Sequence, residues 1–386
     1  MPSSVSSNSQ KLAKAAETTP RGPLSTTVTW LCRIVVGCAF ALGGWAKSID
    51  PYGTLYKMLE YLNAWGLHSM PHEPVVMGAV ALGALELTIG VCVLSGILRH
   101  SSAIAASAVM LFMMPLSGYI AIAEPVADCG CFGDVLVIGN TATFLKNVVI
   151  GMCCVWLLTR NNCCRGIFAR PLQWIVVLAT VLYSLVLAAI GYNAQPTTDF
   201  RPYPLGTVMA PDAQDDDDDA YLPAFDEEGE EADVFLADGT QLVFVVPDPG
   251  EHFLTRSRFT NELAEYAAQY GTHTAALVGT SAKGLKEWKL LAAPVFDAYS
   301  ADDTDLKSLV RGDIAAVYLR DGAIVWKRNL ASVSADLVES ATPGRNALES
   351  ISRPDDGNLA TLLAGIYLGI LLVLAAATLT ARLTRR

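Results

Sequence analysis

The stretch SSAIAASAVMLFMMPLSGYIAIAEPVADCGCFGD, residues 101–134, decides how this chain is built. Residues 101–123 carry no charge and are long enough to cross a hydrocarbon core, which takes roughly 20 apolar residues. The polar break that follows holds Cys129 and Cys131, one residue apart, in a short loop at the membrane surface.

Working outward, comparable apolar runs occupy about 26–46, 75–98, 141–159, 172–192 and 359–378, so the chain reads as six transmembrane helices. Basic residues set the orientation. Lys11, Lys14 and Arg21 precede the first helix, Arg99 separates the second from the third, Arg160, Arg165 and Arg170 lie between the fourth and fifth, and Arg382, Arg385 and Arg386 follow the sixth. By the excess of cations on the inner side, both termini are expected in the cytoplasm of a bacterial inner membrane. The loops 47–74, 124–140 and 193–358 then face the periplasm, where disulfides are permitted, while Cys163 and Cys164 fall inside. Val35-Val36-Gly37-Cys38 has the look of a lipoprotein cleavage site, but Arg33 interrupts its apolar region, and an uncleaved signal anchor is the simpler reading.

The chain is 52% hydrophobic and 17% charged, which excludes a wholly soluble enzyme and leaves room for a membrane bundle plus one soluble domain. Its net charge of -11 is concentrated between Asp212 and Asp233, a pattern unsuited to nucleic acid. Of the nine cysteines, Cys32, Cys38, Cys92, Cys153 and Cys154 lie in apolar segments and read as packing residues.

Residues 1–25 are expected to be a disordered cytoplasmic segment, and 193–234, Pro-rich and then acidic, an extracytoplasmic linker unable to bury enough apolar area to order itself. Its aspartate run, Asp215 to Asp219, reads as a solvated spacer rather than a calcium site. From 241 the pattern becomes globular. Strands are expected at 241–246, 274–278, 295–299, 314–319 and 323–327, and helices at 259–270, 282–291 and 305–310. The last two strands form a hairpin over Asp321-Gly322. That order is α/β with a central mixed sheet.

The motifs Gly43-Gly44-Trp45-Ala46-Lys47-Ser48-Ile49-Asp50-Pro51-Tyr52-Gly53-Thr54, Glu60-Tyr61-Leu62, Glu86, Asp128-Cys129-Gly130-Cys131-Phe132-Gly133-Asp134 and Phe144-Leu145-Lys146-Asn147 resemble the DoxX/MauE family of bacterial membrane proteins over residues 26–160. The likeness is closest to a branch with an added outer domain, and it implies a four-helix membrane core with roles in respiratory or thiol redox. DoxX is associated with a thiosulfate:quinone oxidoreductase and MauE with maturing a disulfide-rich methylamine dehydrogenase. Residues 235–340 resemble a thioredoxin fold that lacks its chemistry. No cysteine stands in Pro247-Asp248-Pro249-Gly250-Glu251-His252-Phe253, where Cys-x-x-Cys belongs, and Gly312-Asp313-Ile314 stands where a cis-proline is expected. The expected fold is therefore a membrane α-helical, four-helix DoxX/MauE-like bundle with two further transmembrane helices and a redox-inert thioredoxin-like domain.

Cys129 and Cys131 read as a reversible disulfide. Closing a ring over one residue forces poor torsions that Gly130 tolerates, and a strained disulfide is easily reduced. A static staple, two free thiols, or a metal site completed by His68 and His72 stay open, although zinc cysteines are usually spaced more widely. Lys146 and Lys47 lie on the same face and could lower a thiol pKa, with snorkelling as the rival explanation for Lys47. Glu86 and Arg33 lie deep in the first two helices and are expected to pair, as a structural lock or as part of a proton route. The segment 51–65 is expected to lie flat at the outer interface.

The sequence thus suggests thiol or quinone-linked electron transfer through Cys129, Cys131 and Lys146, with Glu86, Arg33 and Lys47 as binding or charge-balancing residues. Membrane lipids, a quinone and a periplasmic thiol protein or client are the expected partners, and quinone is the cofactor implied. A non-catalytic assembly factor or receptor, and a small-solute or metal transporter, are the rival classes.

Overall fold

The computed structural model describes residues 23–67, 70–126, 129–161, 164, 166–209, 221–333, 345–351 and 356–384. Its first half is helical: α1 Pro23–Ile49, α2 Pro51–Ala64, α3 His72–Ser95, α4 Arg99–Ala123, α5 Asn140–Arg160 and α6 Gln173–Asn193. All but α2 are long and apolar enough to cross a membrane, as is the final helix Asp356–Leu383, giving six candidate spans. The protein is a multi-pass membrane protein.

The four helices α1, α3, α4 and α5 share an apolar core that includes Val36, Phe40, Val93, Ala106 and Leu157. Small residues let their backbones approach, since a Cβ on Gly44 of α1 would lie 2.1 Å from the Leu87 amide nitrogen of α3. Helix α6 joins through a 2.7 Å hydrogen bond between the Ser48 and Ser184 hydroxyls. The final helix leans on α6, with Tyr183 and Tyr367 stacked at 4.4 Å and the Tyr367 hydroxyl 2.8 Å from Thr180 Oγ1.

Asp50 starts α2. Its carboxylate accepts the Gly53 amide at 2.9 Å, and Pro51 occupies the first helical turn, where its missing N–H costs nothing. Helix α2 buries Tyr52 and Leu55 against Val75 and Ala79 of α3, as an amphipathic helix capping the bundle should.

The soluble domain runs β1 Thr240–Val246, α7 Glu251–Ala268, β2 His273–Gly279, α8 Ala282–Ala292, β3 Asp297–Ala301, α9 Asp303–Leu309, β4 Ala315–Arg320 and β5 Ala323–Asn329, followed by a short α10 Ala347–Ser350 and then α11, the final helix. The sheet order is β3-β2-β1-β4-β5, with β1, β2 and β3 parallel and β4 antiparallel to both neighbours. A βαβ unit followed by an antiparallel hairpin on the other side of β1 is the expected thioredoxin-like arrangement. Both faces of β1 are covered, so it reads as a continuous apolar run instead of an alternating one. One face packs Leu242, Phe244 and Val246 against Trp288 and Trp326, and the other packs Val243 and Val245.

That second face corrects the expected linker. Tyr203, Met209, Leu222, Ala224 and Val234, all from the segment taken as solvated, are buried against the sheet. Average composition hid them: a few apolar side chains spaced among prolines and acids suffice when a preformed apolar surface awaits them. The aspartate run and residues 1–22 lie outside the described residues.

Candidate functional site

The loop between α4 and α5 holds the cysteines, and two helices grip its backbone. Lys47 Nζ, at the end of α1, donates to the Cys131 carbonyl at 2.6 Å, and the Tyr61 hydroxyl of α2 donates to the Cys129 carbonyl at 3.0 Å. Gly130 between them has a φ of 63°, in the left-handed region, and a Cβ there would lie 2.7 Å from Lys57 Cγ. Both backbone strain and lack of space therefore select glycine.

The two sulfurs are unbonded and 3.1 Å apart. Cys129 is buried beside Ile120 and Val126, whereas Cys131 is half-buried. A hydrogen bond from Cys129, aided by the Lys146 and Lys47 ammonium groups, pulls the Cys131 thiol down to about 6 despite burial and the nearby Glu86 carboxylate. The same hydrogen bond and burial push the Cys129 thiol up. One proton is shared, with the thiolate on Cys131. Lys146 also lies 4.1 Å from the Phe132 ring centroid, a cation–π contact that keeps it over the loop.

Lys47 is buried, and its other partner is Glu86, at 2.8 Å. This decides between the two readings of Lys47, which does not snorkel, and overturns the expected pairing of Glu86 with Arg33. Arg33 turns to the opposite end of the bundle, where Nε donates to Asn161 Oδ1 at 2.9 Å and Nη2 to the Asn161 and Cys164 carbonyls at 3.0 and 3.3 Å. The carbonyls freed just past the C-terminal end of α5 supply acceptors for it there. Lys47, in the last turn of α1 and in contact with the cysteine loop, is the cation that reaches Glu86. Arg33 is thus remote from the thiols, while Cys129, Cys131, Lys146, Lys47 and Glu86 are brought together. No group of three or more His, Cys, Asp or Glu suited to a metal is found among the described residues; His68, Asp128 and Cys163 lie outside them.

Two spaces flank the loop. An apolar cavity of about 250 Å³ opens among the membrane helices, lined by both cysteines, Lys47, Glu86, Lys146 and Tyr61. Phe40, Met110, Phe112 and Leu116 form its apolar walls. On the soluble-domain side lies a larger, half-polar cleft of about 1590 Å³, whose floor includes Gly130 and Gly133.

The soluble domain docks on the same loop. Arg311, just before β4, places Nη2 2.5 Å from Asp134 of the cysteine loop and 2.8 Å from Asp50, while its Nε is 2.9 Å from Asp50. The Gly312 amide donates to the Tyr56 hydroxyl at 3.2 Å. Burial works against the Asp50 carboxylate, but Arg311 holds it below its usual range. Behind this clasp, Lys327 is buried with Asp199 at 2.5 Å and donates to the Tyr203 and Leu309 carbonyls. Burial and the adjacent Arg201 pull Lys327 down to about 8. Sequence reasoning missed Arg311, Asp50, Asp134 and Tyr61 as site residues. Asp50 carried a signal, an Asp-Pro helix start; Arg311 carried none.

Residues 25–160 match the family model described as methylamine utilisation protein MauE. The match is confined to the part of the chain that holds helices α1 to α5 and the cysteine loop. No curated protein matches the chain. Among solved structures, similar chains include a peroxiredoxin-like protein from Aquifex aeolicus, at 16% identity over 35% of this chain and 86% of that one, with a TM-score of 0.26. The bacterioferritin comigratory protein of Xanthomonas campestris is 14% identical over 38% of this chain and 99% of that one, with a TM-score of 0.28. A cysteine-to-serine mutant of peroxiredoxin Q from Xanthomonas campestris is 16% identical over 36% of this chain and 100% of that one, with a TM-score of 0.26.

Proposed function

We propose that this protein, built on a MauE-family domain, is a membrane thiol:quinone oxidoreductase, with its cysteine loop and soluble domain on the periplasmic side of a bacterial inner membrane. Cys129 and Cys131 take two electrons from a thiol partner and pass them to a lipid-soluble quinone, a role consistent with supporting the maturation of a periplasmic redox protein. One observation carries this reading: the sulfurs, 3.1 Å apart, line an apolar cavity among membrane helices together with two cations.

The residues suit a quinone as substrate. A cavity of about 250 Å³ lies just below the usual range of ligand sites, roughly 300 to 1,000 Å³, and fits a ring better than a whole polyisoprenoid. Lys47, Lys146 and the buried Asn147 supply polar groups for ring oxygens on otherwise apolar walls. The Cys131 thiolate is the electron-rich sulfur facing that ring, and Glu86 balances Lys47. When the reduced pair, one thiol and one thiolate, closes to a disulfide, two electrons and the pair's single proton pass to the quinone, and a second proton taken up from solvent completes the quinol.

Purified protein, reduced and freed of reductant without oxygen, tests this. Adding a short-chain ubiquinone should convert Cys129 and Cys131 to a disulfide, scored by residue-resolved alkylation, with one quinol formed per disulfide. A pair that stays alkylatable in the presence of quinone, while remaining fully reactive, sinks the reading.

A further inference from the structure

Resting on that reading, the geometry points to the half-polar cleft as the binding site for an extended, thiol-bearing polypeptide, which reaches the sulfur pair by displacing the side chain of Lys57.

The cleft and the apolar cavity approach the same loop from opposite sides, and Thr54, Lys57 and Gly130 border both. The sulfurs line the apolar cavity and Gly130 lines the cleft, so a thin partition separates a reductant in the cleft from the disulfide. Its movable part is Lys57. The Lys57 stem lies against Gly130, and its ammonium pairs with Glu60 at 2.8 Å on a surface where the two side chains are 22% and 41% exposed. Such a partly exposed pair contributes little, so the Glu60 contact does not by itself fix the Lys57 side chain.

Size and lining argue for a polypeptide. About 1590 Å³ exceeds the usual range for small ligands, and the walls offer both anchors and polar groups. Val137, Phe200 and Val208 are exposed apolar side chains within it, interspersed with Asn63, Ser308 and Thr304. The rim includes extended backbone, since Val208 bridges Ala323 at the start of β5. Gly133, with a φ of 54°, lines the cleft and has open space where a Cβ would project. Most of the wall opposite α2 belongs to the soluble domain and the segment leading to it, which explains why a domain without cysteines is clasped over the loop.

The exchange balances as two substitutions. A partner thiolate attacks Cys129 of the disulfide, and Cys131 leaves as the thiolate that Lys47 and Lys146 favour. The partner's second thiolate then attacks the mixed disulfide, Cys129 leaves and takes up a proton, and the partner departs with a new disulfide. Quinone reoxidises the pair.

Full-length protein in nanodiscs with a short-chain ubiquinone tests this, using reduced, unfolded ribonuclease and dithiothreitol as alternative thiols. Asn63→Trp on α2 and Ser308→Trp on α9 narrow the cleft from opposite walls while leaving room for a small dithiol. In each variant the ribonuclease rate should fall at least tenfold relative to the dithiothreitol rate. An unchanged ratio in both variants, including proportional loss of both rates, overturns the cleft assignment while wild-type turnover leaves the oxidoreductase reading intact. A wild-type protein that oxidises neither thiol fails at the earlier step, and both proposals fall.

Discussion

The pH dependence of Cys131 alkylation tests the electrostatics of the site most directly. With the thiol lowered to about 6, the reactive thiolate is present above that pH and is lost as pH falls through it. An ordinary cysteine near 8.5 is about 3% thiolate at pH 7, whereas Cys131 should be about 90%. The gain in rate is smaller than the gain in fraction, because nucleophilicity falls with pKa along a Brønsted slope of about 0.4–0.5, or roughly 13-fold over 2.5 units. At pH 7 the two effects nearly cancel, leaving an advantage of about twofold. At pH 5 the thiolate fractions differ by about 300-fold, and a net advantage of about 20-fold remains. The assay is iodoacetamide labelling of freshly reduced protein from pH 4.5 to 9, quantified for the Cys131 peptide by mass spectrometry. The rate should be half-maximal near pH 6 and flat above pH 7. Lys146→Met removes a cation whose loss should raise the midpoint by about one unit, in line with a single opposite charge nearby. A wild-type midpoint above pH 8, or a midpoint unmoved by Lys146→Met, refutes the assignment of the thiolate to Cys131.

Three further outcomes follow from the same contacts. Cys129→Ala removes the hydrogen bond to the thiolate and should raise the Cys131 midpoint, read by the same labelling; a lower midpoint would contradict the shared proton. Lys47→Met leaves the Glu86 carboxylate buried without its cation, at a cost of about 3–5 kcal/mol, and Lys47→Met with Glu86→Leu should recover most of it in detergent melts. Arg311→Ala releases the clasp between the soluble domain and the cysteine loop, so hydrogen exchange should quicken in 129–135 and in the first turn of α2, while Arg311→Lys should restore only part of the protection because one ammonium cannot reproduce the guanidinium fork.

The membrane spans were legible because each is a long apolar run, and lipid demands that every backbone group be paired within the segment. The order of strands and helices was legible for a similar reason: β-branched runs, the Asp321-Gly322 turn and helical periodicity are local signals. Pairings over long separations were not. Arg33 could be placed at depth, but its acceptors, at Asn161 and Cys164, are set by where α5 ends in three dimensions. Glu86 was recognised as costly to bury, yet the choice between Arg33 and Lys47 depended on the relative depth of α1 and α3. The buried part of the supposed linker was invisible because its apolar residues follow no period; they answer to the sheet they cover.

The clasp also accounts for what a thioredoxin-like domain without its cysteines can contribute. In the loop before β4, Arg311 and Gly312 hold Asp50, Asp134 and Tyr56 of the membrane domain. Asp50 caps α2, Tyr61 of α2 holds the Cys129 carbonyl, and Asp134 ends the cysteine motif, so one arginine ties together the helix that grips the loop and the loop itself. An isolated pair on the surface would contribute little, but Arg311 is 5% and Asp50 18% exposed at the side chain, and removing Arg311 would leave the Asp50 carboxylate without its cation, while the more exposed Asp134 would turn to solvent. In the proposed reaction the sulfurs belong to the membrane domain, and the soluble domain fixes the geometry in which they are held.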